Sequence, residues 1–399
     1  MKKTSLALVI LLFATHAWAQ TDIGPDPAKV RVRVGPLWLN PSIAVTNLGV
    51  DNNVFNEETD PKEDFTFTVS PRTELWLRAG RTWLHGTIVE DLVWYQKYDT
   101  ERAGNGSYSG NWLVPLNRLT FDVGAMRLNA RQRADVEIDA RAHRMETNYL
   151  GSASIRVLAK TSVGVNVGQL HTTFAEDAVF RNVKLREELT RTLVTTGVSV
   201  SHRLTPLTTI SAQVAREAVQ FDFTPDRNSN SNVILAKIAF DPLAAMQGSA
   251  SFGYREFTPV AADVPGYDGT TAAVELSYTA FGATKVTGKV LRDVQFSYDS
   301  TRPYYLQNSY AIEVMQRLFG PVDVAARTGT ATLAYRDRGG AQVSGNEPDR
   351  TRMYGGGVGY HLGQDIRIGV NIDQQKRTSP TQGHSYEGLR LWTAISYGL

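Results

Sequence analysis

Apolar and polar residues alternate along most of the chain. Ile366, Ile368, Val370 and Ile372 interleave with Asp365, Arg367, Asn371 and Asp373. Phe65, Phe67, Val69, Leu75 and Leu77 interleave with Thr66, Thr68, Ser70, Arg72, Glu74 and Arg78, and Ala272, Val274, Leu276, Tyr278 and Ala280 with Glu275, Ser277 and Thr279. A period of two with one apolar face is the signature of a strand half out of water. Many of these segments hold the alternation over about ten residues, longer than the ~5–6 of an ordinary sandwich strand.

Tight turns recur near Gly80, Asn117, Lys160, Pro206, Pro242, Gly282, Pro321 and Gln364, about 40 residues apart on average. Between them lie longer, charged or Gly/Asn-rich stretches: 51–63, 99–106, 131–146, 176–188, 222–230, 258–266, 299–303, 338–350 and 377–383. Eight short turns alternating with nine long loops join 18 strands, and 16 is the next choice. The 364 residues from Pro36 to Leu399 allow about 20 per strand with its connection, enough for the ~9–11 that cross a bilayer at a tilt. Short turns at one end and long loops at the other describe an antiparallel, up-and-down transmembrane β-barrel, lipid outside and water within. A soluble array of sandwiches would need a second sheet over each apolar face.

Residues 1–19 read as a secretory leader. Lys2 and Lys3 precede the apolar run Leu6–Ala14, and Ala17-Trp18-Ala19 precedes a cut before Gln20. Three parts follow: leader 1–19, a periplasmic segment 20–35 and a barrel 36–399 in the outer membrane. With the leader's two lysines removed, the formal charge of +2 falls to zero, so nucleic acid is not an expected partner. No cysteine is present, which excludes disulfides, thiolate metal sites and a lipoprotein anchor.

With the apolar parity against lipid, the opposite parity lines the lumen. Its basic members are Arg72, Arg78, Arg156, Arg191, Arg203, Lys237, Arg255, Lys285, Lys289, Arg317, Arg327 and Arg367. Its acidic members are Glu74, Glu217, Glu275, Glu313, Asp365 and Asp373. A basic excess in a low-dielectric channel favours anionic solutes, although the residues at the turns could face the periplasm instead. Trp76, Trp83, Tyr304 and Tyr305 stand near strand ends, where an interfacial aromatic girdle would lie.

Little points to catalysis or to a cofactor. The histidines stand singly, with no metal-ligand spacing. Asp51, Glu57, Glu58 and Asp60 do not fit a calcium loop. Ser201 and His202 fall on opposite faces, and Gly355-Gly356-Gly357 reads as room for a neighbour rather than a phosphate cradle. No enzyme activity is expected.

The first strand reads Pro41-Ser42 and then Asp51-Asn52-Asn53-Val54-Phe55. This resembles the opening of the putative β-barrel porin 2 family, outer-membrane proteins associated with exopolysaccharide biosynthesis and export; Val50 stands where the family usually has an aromatic. The resemblance implies a channel exporting an exopolysaccharide, an acidic one given the lumen, with a periplasmic polysaccharide export protein as partner. A general or anion-preferring solute uptake porin, and a structural or adhesive barrel, are the alternatives. Lipid, lipopolysaccharide and the barrel assembly machinery are expected partners in every case. The alternating Leu389, Leu391, Ile395, Tyr397 and Leu399 form the assembly signal, ending in leucine rather than an aromatic.

Overall fold

The computed structural model describes residue 25 and residues 30–242, 244–339, 347–363 and 365–398. The leader, its cut, Gln364 and Leu399 lie outside these residues. Eighteen long antiparallel strands form one closed sheet: β1 Leu37–Asp51, β2 Asp64–Ala79, β3 Thr82–Tyr95, β4 Ala103–Leu116, β5 Leu119–Arg133, β6 Arg141–Leu158, β7 Thr161–Phe174, β8 Arg191–Thr205 and β9 Thr208–Phe221 make one half. The second half is β10 Ser229–Phe240, β11 Met246–Pro259, β12 Tyr267–Ala280, β13 Thr284–Phe296, β14 Tyr304–Arg317, β15 Val322–Arg336, β16 Asp349–Leu362, β17 Ile366–Thr378 and β18 Tyr386–Tyr397. Each pairs with the next, and β18 closes on β1 through Ile43↔Tyr397 to Asp51↔Arg390. A short strand, Val32–Val34, pairs with the start of β1.

The strands run 12 to 18 residues, and closure leaves no open edge for backbone groups to be stranded in hydrocarbon. One face is exposed and apolar, as at Val163, Val165 and Val167 on β7 and Val370 and Ile372 on β17. The other face carries the polar residues. In β1 the parity switches at a bulge between Thr46 and Gly49, where Asn47 takes φ 53°, a conformation asparagine tolerates better than most residues. Trp38, Asn40 and Ser42 face inward before it, and Asp51 after it.

The aromatic girdle differs from expectation. Trp76 pairs with Trp38 and His85, and Trp83 with Arg78 and Leu113, on the inward face that also carries Arg72 and Glu74. Tyr304 and Tyr305 are buried, packed beneath the long loops. The outward aromatics are others, among them Trp94, Trp112, Phe252, Tyr254, Tyr354 and Tyr397. Proximity to a turn identifies an interfacial height, but parity decides which face a ring takes.

The long loops do not stand free. A one-turn helix α1, Leu185–Leu189, packs with Ile138, Phe174, Phe180 and Tyr298 into a hydrophobic core of their own. A second cluster joins Phe257, Val264, Tyr267, Tyr304 and Leu306. These cores lie over one mouth of the barrel.

Candidate functional site

The site is the lumen and its loop-side mouth. Asp365 precedes β17 and pairs with Arg31 at 3.0 Å. Strand register places the following charged residues named from the sequence on the inward face: Arg72 and Glu74 on β2, Arg156 on β6, Arg191 on β8, Glu217 on β9 and Lys237 on β10. Arg255 on β11, Glu275 on β12, Lys289 on β13, Glu313 on β14, Arg327 on β15 and Arg367 and Asp373 on β17 follow.

Most of these are brought together as ion pairs. Arg72 meets Glu74 at 2.6 Å and Lys289 meets Glu275 at 3.0 Å. Arg255 bridges Glu217 at 2.6 Å and Asp293 at 2.8 Å. Arg327 holds Asp373 at 2.6 Å, and the Trp392 indole N–H donates to the same carboxylate at 2.7 Å. Arg367 holds Asp323 at 2.6 Å, with His361 on the other oxygen at 2.7 Å.

The last two pairs reach across β16, and three glycines let them do so. A Cβ at Gly355 would fall on Asp373 Oδ1 and 2.8 Å from Arg327 Nε, one at Gly359 would meet Arg367 and Asp323, and one at Gly357 would meet Asn371. The inward stripe of glycine is thus the space that opposite charges on β15 and β17 share.

The remaining residues make other contacts. Arg191 lies over Phe221 and Phe296, with ring centroids at 6.0 and 5.2 Å, and Arg156 reaches the Asn117 carbonyl at 3.4 Å. Glu313 faces Thr287 and Arg327 in register, and Lys237 faces Ser211 and Ser251.

Much of the charge expected of the lumen is therefore held in ion pairs along the wall. The sequence tally missed Asp51, Asp293 and Asp323, which take Arg390, Arg255 and Arg367. It also missed the inward arginines Arg144, Arg377 and Arg390. Asp293 shares the odd parity of Lys289, and Asp323 that of Arg327, so carrying each strand's register to its end would have found them. Asp51 needed knowledge of the bulge.

The mouth is crossed by the β5–β6 loop, residues 134–140. Glu137, fully buried, accepts from Ser297 Oγ at 2.6 Å and from the Tyr298 backbone N–H at 3.2 Å. These belong to the β13–β14 loop, eight strands away from β5 in an 18-strand circle. Arg377 on β17 donates to the Glu137 carbonyl at 2.9 Å and pairs with Asp139 and Asp349, each at 2.5 Å. Arg227 ties Glu188 at 2.8 Å to the Ser297 and Pro303 carbonyls at 2.5 and 2.9 Å. Burial, with Asp135 adding repulsion, pushes the Glu137 carboxyl up to about 8; burial likewise lowers His384, beside Tyr298, to about 4. A cleft of about 1070 Å³ opens between this crossing and the first, second, fourth and last long loops.

The motif Asp51–Phe55 anchors the first loop to the barrel seam. Asp51 accepts from the Asn53 N–H and holds Arg390. Asn52 Oδ1 accepts from Leu389 N–H, and Asn53 Nδ2 donates to the Glu57 and Glu387 carbonyls. Val54 is buried and its carbonyl accepts from Arg133, while Phe55 packs edge-on against Tyr98 at 4.8 Å. Pro41 and Ser42 lie in β1, opposite Thr73 and Arg72.

Among the described residues no cluster of three or more His, Asp or Glu could hold a metal ion. Ser201 faces the lumen and His202 the outside, where its Nδ1 meets Thr161 Oγ1 at 3.0 Å.

A closed 18-strand barrel with an ion-paired lumen and loops folded over one mouth is that of an outer-membrane porin. The family is found in the sequence as well: residues 26–396 match the model of the family described as Putative beta-barrel porin 2, and the chain belongs to it. Solved structures of similar fold include Pseudomonas aeruginosa OccK2 (OpdF) in complex with glucuronate, at 10% identity and TM-score 0.49, covering 90% of this chain and 98% of that one. A BenF-like porin from Pseudomonas fluorescens Pf-5 gives 10% and 0.49 over 92% and 100%. A bacterial polysaccharide outer membrane secretin gives 8% and 0.34 over 90% and 97%. At such identities the likeness concerns the barrel alone. No protein of curated function matches the chain.

Proposed function

We propose that this porin is a size-selective channel for the uptake of small polar solutes, delivered to the outer membrane by the leader 1–19. The carrying observation is the crossing of the mouth by residues 134–140, fastened to the opposite side through Glu137–Ser297 and Arg377–Asp139. A polymer chain would have to break these buried fastenings to pass, whereas a small solute needs only the space beside them. Export of an exopolysaccharide, the first expectation, has the family association in its favour but not this geometry. In either reading no bond is made or broken in the lumen, whose paired charges offer exchangeable hydrogen bonds to a passing solute. Lipid and lipopolysaccharide cover the outward apolar face, and the assembly machinery inserts it.

Swelling of liposomes loaded with the refolded protein tests this. Pentoses and disaccharides are expected to enter at rates falling steeply with size, and a decasaccharide not to enter. Entry of the decasaccharide at a rate near that of the disaccharide, or no entry of any sugar, would overturn the proposal.

A further inference from the structure

We propose that the outward face of β15–β17 carries, just above the apolar band, a site for the phosphate groups of lipopolysaccharide. The inference goes beyond the solute-channel reading and does not depend on it. It rests on the long loops facing outside the cell, as in outer-membrane barrels generally.

Register places the residues. Arg352 on β16 lies opposite Thr330 on β15 and Lys376 on β17, and Arg350 lies opposite Thr332 and Thr378. The three cations are exposed. They share the parity of Tyr354, Val358 and Tyr360 on β16 and of Ile368, Val370 and Ile372 on β17, all exposed to lipid. They stand therefore on the outside of the wall, not in the lumen.

Their height is that of the outer headgroups. Arg352 is ten residues from the turn-side end of β16 at Leu362, and Lys376 is ten from that of β17 at Ile366. At ~3.3 Å per residue and the usual barrel tilt this is ~25 Å, the height of the apolar band. One step nearer the membrane on β16 is the exposed Tyr354 ring, where an interfacial aromatic belongs. On β17, Ile372 begins the aliphatic run beyond Gln374.

Only part of this charge is answered within the protein. Arg352 and Lys376 are direct cross-strand neighbours, and like charges so placed destabilise a sheet. Among the described residues, Glu347 included, the one carboxylate paired with these cations is Glu387 on β18, 3.2 Å from Lys376 and shared with Gln374 at 2.6 Å. Asp349, beside Arg350, turns inward to Arg377 and Ser379. Residues 340–346 of the loop above contain no acid. Elsewhere the outward row is mixed: Arg216 on β9 faces Asn232, Asn232 faces Glu256 and Glu256 faces Asp268. On β16–β17 an external anion lying between the side chains would turn a repulsive row into an attractive one.

Lipopolysaccharide fits as that anion. Its lipid A carries two phosphates at the headgroup level, above acyl chains that would lie on Tyr354, Val358 and Ile372. Arginine takes phosphate through paired N–H donors and lysine as a point charge, and the Thr330 and Thr332 hydroxyls stand beside them. A glycerophospholipid offers one phosphate to three cations, and a soluble anion gains nothing from the apolar surface below.

Native mass spectrometry of the folded, full-length protein in detergent tests the site, with bis-phosphorylated lipid A, phosphate-free lipid A and phosphatidylglycerol as probes. Bis-phosphorylated lipid A is expected to bind at least tenfold more tightly than either of the others. Arg350→Gln, Arg352→Gln and Lys376→Gln together should weaken it tenfold or more. Arg127→Gln with Arg216→Gln, outward cations on β5 and β9, should leave it within twofold. Heat-modifiable electrophoretic migration checks folding; if the triple variant does not fold, Arg352→Gln alone is expected to weaken binding threefold or more. Undiminished binding in the folded variant, an equal loss from the Arg127 and Arg216 pair, or equal binding of either other lipid would overturn the site. Binding is read without permeation, so the result bears on the site and not on the channel.

Discussion

Gly355 shows how a residue without a side chain can decide where charges sit. Its missing Cβ is the space in which Arg327 and Asp373 meet across β16, while Gly110 and Gly288 have nothing within 4 Å of theirs. Gly355→Val should therefore cost roughly 3 kcal/mol, the low end of what breaking a largely buried pair costs. Gly288→Ala should cost far less. Urea titrations of folding into detergent or lipid vesicles check both, and equal midpoints would show that the pair adds nothing. The inward parity of Arg327 and Asp373 was legible from alternation alone, because a period of two leaves only two faces. Their partnership was not, since it joins strands 46 residues apart. Trp76 and Trp83 show the same limit in reverse: an argument from their height near a turn misplaced rings that the parity of Arg72 and Glu74 places in the lumen.

At the scale of the element, the loops hold what the sequence did not disclose. Nine polar stretches were legible as loops, because they interrupt the alternation and carry charge. Their folding over the mouth depends on contacts such as Arg377 with Glu137 and Asp139, 240 and 238 residues apart, which no local pattern records. The motif Asp51–Phe55 was legible as a resemblance, and the structure supplies its physical content: a set of side-chain caps that fixes the first loop to β18.

The 134–140 crossing should respond to pH through Glu137. Its carboxyl is raised to about 8 when docked, by burial first and Asp135 second, so the docked loop binds a proton more tightly than the freed one. Docking is then strongest below the ordinary carboxyl range near 4.5 and weakens up to about 8, by roughly 5 kcal/mol at 1.36 kcal/mol per unit. Channel currents should be larger and noisier at pH 9 than at pH 5, and Glu137→Gln should remove the difference. A dependence unchanged by that substitution would place the titrating group elsewhere.

At the scale of the whole molecule, the architecture was the most legible part. Eighteen strands, eight tight turns and nine loops follow from counting, since a tilted bilayer crossing sets the strand length and an even number closes the barrel. The character of the lumen was only half legible: cations stand out in a strand, but the pairing of some of them with Asp51, Asp293 and Asp323 depends on bulges and on register carried to the strand ends. The molecule is thus a pore-sized barrel with largely ion-paired walls, crossed at one mouth by a fastened loop, and that crossing is what would make it a channel for small solutes rather than a polymer duct.

The most direct test compares single-channel current in planar bilayers for the intact protein and for a variant lacking residues 134–140. The expected result is a small, steady conductance in the intact protein that rises several-fold without the loop. The same conductance from both, or none from either, would contradict a barrel whose mouth is limited by that crossing.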